Sequence, residues 1–263
     1  MYDFTYQKPT SLPDAVTALA DPDAKALAGG MTFIPVLKQR LAQPSAVVDL
    51  GGLNLVGIAQ DGNSLVIKAM TTHGAVAASP LVAKTIPALA YLASHIGDRQ
   101  VRYRGTIGGS LANNDPSACY PSAALALGAT IKTNKRSLKA DEFFQGMFTT
   151  ALEPDELITE IAFPIPERAA YGKFPNPASR YATVGVFVAK TAQGARVAVT
   201  GAGNDGVFRH TDMEAALDKS FAPAALEGVT TPEAKMNSDM HASAAYRAHL
   251  VGVMARRAVA ACA

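Results

Sequence analysis

Four prolines fall between residues 164 and 177, at Pro164, Pro166, Pro175 and Pro177, and no helix or interior strand can run through them. Proline has no backbone donor and a fixed φ, so regular structure must stop and restart here. The break leaves about 165 residues on one side and about 100 on the other, and each piece is long enough to be a domain. The expected division is therefore residues 1–165, with subdomains of about 1–53 and 54–165, followed by residues 166–263.

Hydrophobic spacing gives both pieces a mixed character. Ser11 and Asp14 make a capping-box-like start, and Leu12, Val16 and Leu19 follow at helical spacing. Residues 25–28 read as a strand, Gly29-Gly30 ends it, residues 32–40 read as a helix and 46–50 as a second strand, a βαβ-like unit. Residues 55–58 and 65–69 flank Asp61-Gly62-Asn63, a turn of the hairpin kind. Ile86, Leu89, Leu92 and Ile96 form a helical stripe that Gly97 ends. Residues 123–129 continue apolar, and 131–133 and 157–163 read as strands. Beyond the prolines, 181–190 and 195–200 predict a hairpin around Gln193-Gly194, and Thr211 and Glu214 start a short helix. A long helix over 241–261 places Tyr246, Leu250, Val253 and Met254 on its buried side.

Several function classes drop out on composition. Hydrophobic residues make up 49% and charged residues 17%, which suits a packed core, and no apolar run reaches the roughly 18 residues of a membrane helix. The N-terminus lacks the basic region and apolar run of a secretory signal, so a cytoplasmic location is expected. The 24 Lys and Arg are interspersed with 22 Asp and Glu for a net charge of +2, which leaves no footprint for nucleic acid. Cys119 and Cys262 cannot supply the four thiolates of a common iron–sulfur cluster, so any such cluster must sit on another chain. The five histidines are scattered, without a typical zinc-binding spacing.

Glycine is concentrated in three places. In Ala28-Gly29-Gly30-Met31-Thr32-Phe33 a strand gives way to a helix, and the freed N–H groups can either cradle a phosphate or simply make a turn. The segment Gly105-Thr106-Ile107-Gly108-Gly109-Ser110-Leu111-Ala112-Asn113-Asn114-Asp115 combines approachable backbone with hydroxyls, amides and a carboxylate, an inventory suited to a polyhydroxyl and phosphate ligand. Neither has the lysine of a P-loop. Gly201-Ala202-Gly203-Asn204-Asp205-Gly206 matches G-x-G-x-x-G after a strand. However, Val207-Phe208-Arg209 does not open a helix, and 57 residues are too few for a Rossmann domain, so a hairpin end is expected.

No acid–base or nucleophile constellation stands out. Ser110 lies outside a G-x-S-x-G elbow and suits a ligand-facing or capping role. Cys119 has apolar neighbours and no cation to activate it, so an inert packed thiol is expected. His73 and His95 default to core or surface positions. Arg99, Arg102 and Arg104 read as a solvated face that could also flank an anion held by the next glycines.

Taken together, A-G-G-x-[ST]-x-x-P at 28–35 and R-G-T-I-G-G-S-x-A-x-x-D-P at 104–116 resemble the FAD-binding medium subunit of the molybdenum hydroxylases. That family includes carbon monoxide dehydrogenase, xanthine dehydrogenase and bacterial aldehyde oxidoreductases. The likeness continues through Glu156-Leu157-Ile158-Thr159-Glu160-Ile161, Tyr171-Gly172-Lys173-Phe174, residues 197–203 and Ala242-Ser243-Ala244-Ala245-Tyr246-Arg247. It implies an α+β fold: a PCMH-like FAD-binding portion of two subdomains, then a C-terminal α/β domain with a helical end.

The resemblance also assigns roles. Ala28, Gly29, Gly30, Met31, Thr32 and Phe33 would form the first FAD loop, and Thr106, Gly108, Gly109 and Ser110 the second. Asp115 would sit beside ribityl or ribose hydroxyls, Ile158 would pack on the adenine, and Lys173 would lie near the flavin pyrimidine edge, where reduction places negative charge. Many members carry an acidic residue where this chain has Cys119, and an Asp near Ser179-Arg180-Tyr181. Members with covalent FAD carry a histidine where this chain has Met31, so attachment is expected to be non-covalent.

The implied partners are a large molybdopterin-binding subunit and a small subunit with [2Fe–2S] clusters, and a dimer of heterotrimers is one assembly the resemblance allows. The implied function is electron transfer from those clusters through FAD to an external acceptor, whether oxygen, NAD or a quinone. An FAD-free assembly scaffold is the alternative.

Overall fold

The computed structural model describes residues 1–262. Its first sheet is parallel: Ala46–Asp49 runs between Thr5–Gln7 and Lys25–Leu27. Parallel neighbours require crossovers, and helices Leu12–Ala18 and Phe33–Lys38 supply them. The first helix is capped by Ser11, whose Oγ accepts from the Asp14 N–H. Its Ala15, with Leu19 beyond it, packs against Val48 and Leu50, and Leu157 joins this core from far along the chain.

The second sheet is antiparallel, in the order Ile58–Asp61, Ser64–Lys68, Ile158–Pro164, Thr130–Thr133, Ser137–Lys139. The hairpin around Gly62 starts at Ile58, three residues later than the expected 55–58 strand, because Leu55 and Gly57 instead bond Met70 and Lys68 outside the ladder. Leu65 and Ile67 alternate inward and are fully buried, meeting Leu89 and Leu92 of helix Pro87–Ser94, Ile107 and Leu111 of helix Ile107–Asn113, and the alanines of helix Tyr120–Ala126. A small hairpin, Phe144–Gly146 with Thr149–Thr150, flanks this core.

The third sheet is a meander of Arg168–Pro175, Ala182–Thr191, Gly194–Gly203 and Gly206–Arg209. The prolines punctuate strands here: Pro164 ends one strand and Pro175 another, and between them Arg168–Pro175 is an edge strand rather than a linker. Every residue from Ala182 to Ala189 is buried, because the sheet is covered on both faces. Val184, Val186 and Val188 face the long helix Ala244–Ala261, whereas Phe187 and Ala189 join the core of the preceding sheet.

That long helix starts after Ser243, which caps it, and its inward stripe differs from the expected one. Leu250 and Met254 are buried and Val253 partly so, but Tyr246 is 44% exposed and Arg247 takes the inside position. The Arg247 guanidinium donates to the carbonyls of Thr183 and Gly201 and to Asp239, each within 2.7 Å, and so stitches helix to sheet through polar contacts that a hydrophobic stripe does not reveal. Gly201–Gly206 ends a hairpin, with Gly203 paired to Gly206. Among the described residues, no helix is long and apolar enough to cross a membrane.

Candidate functional site

The two N-proximal glycine clusters meet across 75 residues of chain because glycine lets their backbones touch. A β-carbon on Gly29 would overlap the carbonyl oxygen of Arg104 and lie 2.8 Å from Gly105 Cα. One on Gly109 would sit 2.9 Å from Thr106 Oγ1 and 3.3 Å from Ala28 Cβ. Gly30, at φ +75°, turns the chain from strand into helix. The result is one wall of a cleft of about 740 Å³, at the upper end of small-molecule site volumes.

All thirteen residues singled out above line this cleft: both loops, Asp115, Ile158 and Lys173. The two loops differ in what they leave unpaired. In the second, the N–H groups are already committed: Gly108 donates to the Ala69 carbonyl, Gly109 to Thr106 Oγ1 and Ser110 to the Thr106 carbonyl. In the first, the N–H groups of Gly30, Met31 and Thr32 have no partner among the described residues, and Thr32 makes no side-chain capping bond. The first loop is therefore the one able to donate to an anionic ligand.

Past the second loop, left-handed Asn114 closes helix Ile107–Asn113 and donates to the carbonyls of Gly146 and Thr149 at 2.7 and 2.9 Å. Asp115 follows, its Oδ1 accepting from the Ser117 N–H, and burial raises its carboxyl above the usual range. The exit of this loop is gripped from the third sheet. The Thr200 hydroxyl donates toward the carbonyls of Pro116 and Ala118, at 2.9 and 2.6 Å, and the Gly201 N–H donates to Pro116 at 2.7 Å.

One end of the cleft is lined by Leu152, Glu153, Leu157 and Ile158. Glu156 fixes that segment. Its buried carboxylate accepts from Thr133 Oγ1, from Nε and Nη2 of Arg136 and from the Glu153 N–H, at 2.7 to 3.0 Å. The Arg136 guanidinium is the main reason its carboxyl is held down to about 2.

Elsewhere in the cleft stand Ile96, Gly97, Lys173, Arg180 and Tyr181. Lys173 projects from the edge strand and donates to the His95 carbonyl at 2.7 Å, and no carboxylate pairs with it among the described residues. Cys119 is 4% exposed in the cleft wall, next to the buried Tyr120.

His73 also lines the cleft, a position sequence reasoning left as core or surface. It is 5% exposed, its Nδ1 has no partner, and burial, with nearby Arg102 adding to it, pushes the ring down to about 4. The ring is therefore neutral at ordinary pH, and its orphaned Nδ1 is shielded from solvent behind the cleft wall. Nothing in the local sequence marks it, because a buried histidine and a site histidine look alike there. Arg180 and Tyr181 carry no local signal beyond a departure from the family pattern, and Gly97 none beyond a helix stop; they enter the lining through tertiary packing.

Comparisons with known proteins place the whole chain in one family. Residues 2–166 match the FAD binding domain in molybdopterin dehydrogenase, and residues 169–262 match the CO dehydrogenase flavoprotein C-terminal domain. The chain belongs to the FAD-binding medium subunits of the molybdenum hydroxylases. It is 38% identical to the carbon monoxide dehydrogenase medium chain of Afipia carboxidovorans, across 97% of this chain and 95% of that one. It is 35% identical to the nicotine 6-hydroxylase medium subunit of Paenarthrobacter nicotinovorans, with the same coverage of 97% and 95%. Among solved structures, the reconstituted CO dehydrogenase from Oligotropha carboxidovorans superposes with a TM-score of 0.91 at 34% identity, covering 99% of this chain and 98% of that chain. The medium-subunit fold, an FAD-binding domain followed by a C-terminal domain ending in a long helix, therefore spans the chain, a subunit of a molybdenum-containing dehydrogenase.

Proposed function

We propose that this medium subunit holds FAD non-covalently in the 740 Å³ cleft and relays electrons from the [2Fe–2S] clusters of a small partner subunit to an external acceptor. The substrate would be oxidised at molybdenum on a large partner subunit, and the complex would work in the cytoplasm. The observation that carries this reading is the convergence of two distant glycine clusters on one cleft, with unpaired backbone donors in the first. FAD, when bound, supplies the change between one-electron and two-electron transfer that such a relay needs.

The chain's own residues supply the rest. The N–H groups of Gly30, Met31 and Thr32 bind the pyrophosphate, and Ser110 and Asp115 stand ready for the ribityl and ribose hydroxyls. Ile158 packs on the adenine within a segment that Glu156 holds still. Lys173, anchored on the His95 carbonyl, keeps a positive charge at the flavin edge that becomes negative on reduction. Met31 stands where relatives with covalent FAD carry the linking histidine, so the first loop offers no imidazole for a covalent link.

Two measurements test this. Acid precipitation of the purified yellow chain should release FAD into the supernatant, and colour held in the pellet contradicts non-covalent attachment. In reconstitution, the two partner subunits should reduce their own centres with substrate yet turn over slowly until FAD-loaded chain is added. Equal rescue by FAD-stripped chain would establish the scaffold alternative instead.

A further inference from the structure

A second cleft, of about 420 Å³, opens beside the first and shares Gly97, Lys173 and Arg180 with it. Arg102, Lys173 and Arg180 line it, with His95, and no Asp or Glu does. In a chain whose formal charge is only +2, that is a local concentration of positive charge. Their hydrogen bonds leave it uncompensated. Arg102 donates to the carbonyls of Ile96 and Gly97, both at 3.0 Å, and Lys173 to that of His95 at 2.7 Å, all neutral acceptors.

Arg180 is exposed and makes no side-chain hydrogen bond among the described residues. Its backbone is nevertheless fixed, at φ +61°, by a turn in which its N–H donates to the Asn176 carbonyl and the Tyr181 carbonyl accepts from Asn176. Tyr91 also lines this cleft; it is 51% exposed, with its ring centroid 4.0 Å from that of His95, and offers an aromatic face.

We propose that this second cleft is where the external electron acceptor docks, and that it selects planar aromatic acceptors carrying fixed negative charge. The proposal rests on the main cleft being the FAD site, since the shared Lys173 and Arg180 then put the acceptor beside the flavin. A quinone-type acceptor there gains two electrons and two protons, which the dihydro form of FAD loses, so the exchange balances with no further reductant. Cationic side chains set the charge preference, the Tyr91 face suits a planar ring, and the open mouth lets the product leave.

The test is equilibrium binding to the full chain loaded with FAD, measured by calorimetry with oxidised anthraquinone-2,6-disulfonate and, as a planar cation, methylene blue. Asn176→Asp is the informative variant. Asn176 lines the second cleft and not the first, and its Oδ1 accepts from the Ala178 and Ser179 N–H groups, a task a carboxylate performs equally well. The disulfonate should bind at one site, more weakly as salt is added, and its dissociation constant should rise about tenfold in Asn176→Asp and in Arg180→Asn. Asparagine tolerates the left-handed backbone at 180, so that variant keeps the turn. Methylene blue should bind the native chain more weakly than the disulfonate and gain affinity in Asn176→Asp.

If the disulfonate fails to bind a yellow chain, or binds it and both folded variants alike, the acceptor proposal is overturned and the FAD reading stands. A chain that takes up no FAD overturns both.

Discussion

Gly29→Ala is the smallest change that should separate the two glycine loops. The added β-carbon would overlap the Arg104 carbonyl oxygen and lie 2.8 Å from both Arg104 C and Gly105 Cα. Carbon atoms rest at about 3.5–4.0 Å, so the two backbones must part by about 1 Å. Neither side can rotate away, since both are main chain, and the cost belongs in the upper part of the usual overpacking range, about 2–3 kcal/mol. The same displacement moves the first-loop donors away from the second-loop wall. Losing one hydrogen bond to a charged phosphate costs about 1.5–3 kcal/mol, or about tenfold to a hundredfold in affinity.

The assay is a fluorescence titration of FAD-stripped chain with FAD, alongside thermal unfolding. Gly62→Ala is the control: unlike Gly29 it is left-handed, at φ +53°, and nothing lies within 4 Å of its added carbon. That variant should lose about 1–2 kcal/mol of stability from backbone strain and keep its FAD affinity. A folded Gly29→Ala chain with native FAD affinity would refute the argument that close approach of the loops builds the site.

Lys173→Met should lower the two-electron potential of bound FAD by about 30 mV or more in a spectroelectrochemical titration, equivalent to about 1.4 kcal/mol, while FAD content stays native. Glu156 sets an acid limit. Its carboxyl titrates at about 2 in the fold against 4.5 ordinarily, so its stabilisation is complete above about pH 4.5 and disappears as the pH falls through about 2. The shift allows about 3 kcal/mol, and the solvent-facing side of Arg136 reduces this to about 1–2 kcal/mol. Glu156→Gln should therefore be less stable at neutral pH, and its unfolding free energy, from urea titrations at several pH values, should fall less steeply on acidification. Arg247→Met should be destabilised by about 2–4 kcal/mol in the same titrations, because the carbonyls of Thr183 and Gly201 and the Asp239 carboxylate lose their donor.

Much of the candidate site is legible because its signal is local. Paired glycines at a strand end and hydroxyls and amides around Thr106 are visible in the sequence as a candidate ligand loop or a tight turn, and helical stripes such as Leu89 and Leu92 report a buried face directly. What escaped depends on contacts distant in sequence. Strand Arg168–Pro175 is hidden by Pro175 at its end and by the prolines that flank it, because an edge strand tolerates a terminal proline and a pattern search treats prolines as breaks. Arg247 occupies a core position because two carbonyls and a carboxylate happen to converge there, and a hydrophobicity argument hands that position to Tyr246. The run at 182–189, apolar but for Thr183, reads simply as a strand, and its covering on both faces emerges only once the C-terminal helix is in place.

If FAD occupies the main cleft as proposed, the grip of Thr200 and Gly201 on the exit of the second loop makes its uptake and C-terminal attachment parts of one equilibrium. Whatever orders residues 115–118 from the cleft side also steadies the sheet that holds them from below, and through Arg247 the helix beyond it. By mass action, a ligand present at about a hundred times its dissociation constant adds about 2.7 kcal/mol to every opening that destroys its site. Amides of helix Ala244–Ala261 that exchange only through such openings should then slow about a hundredfold when FAD is added, although no residue of that helix lines the cleft.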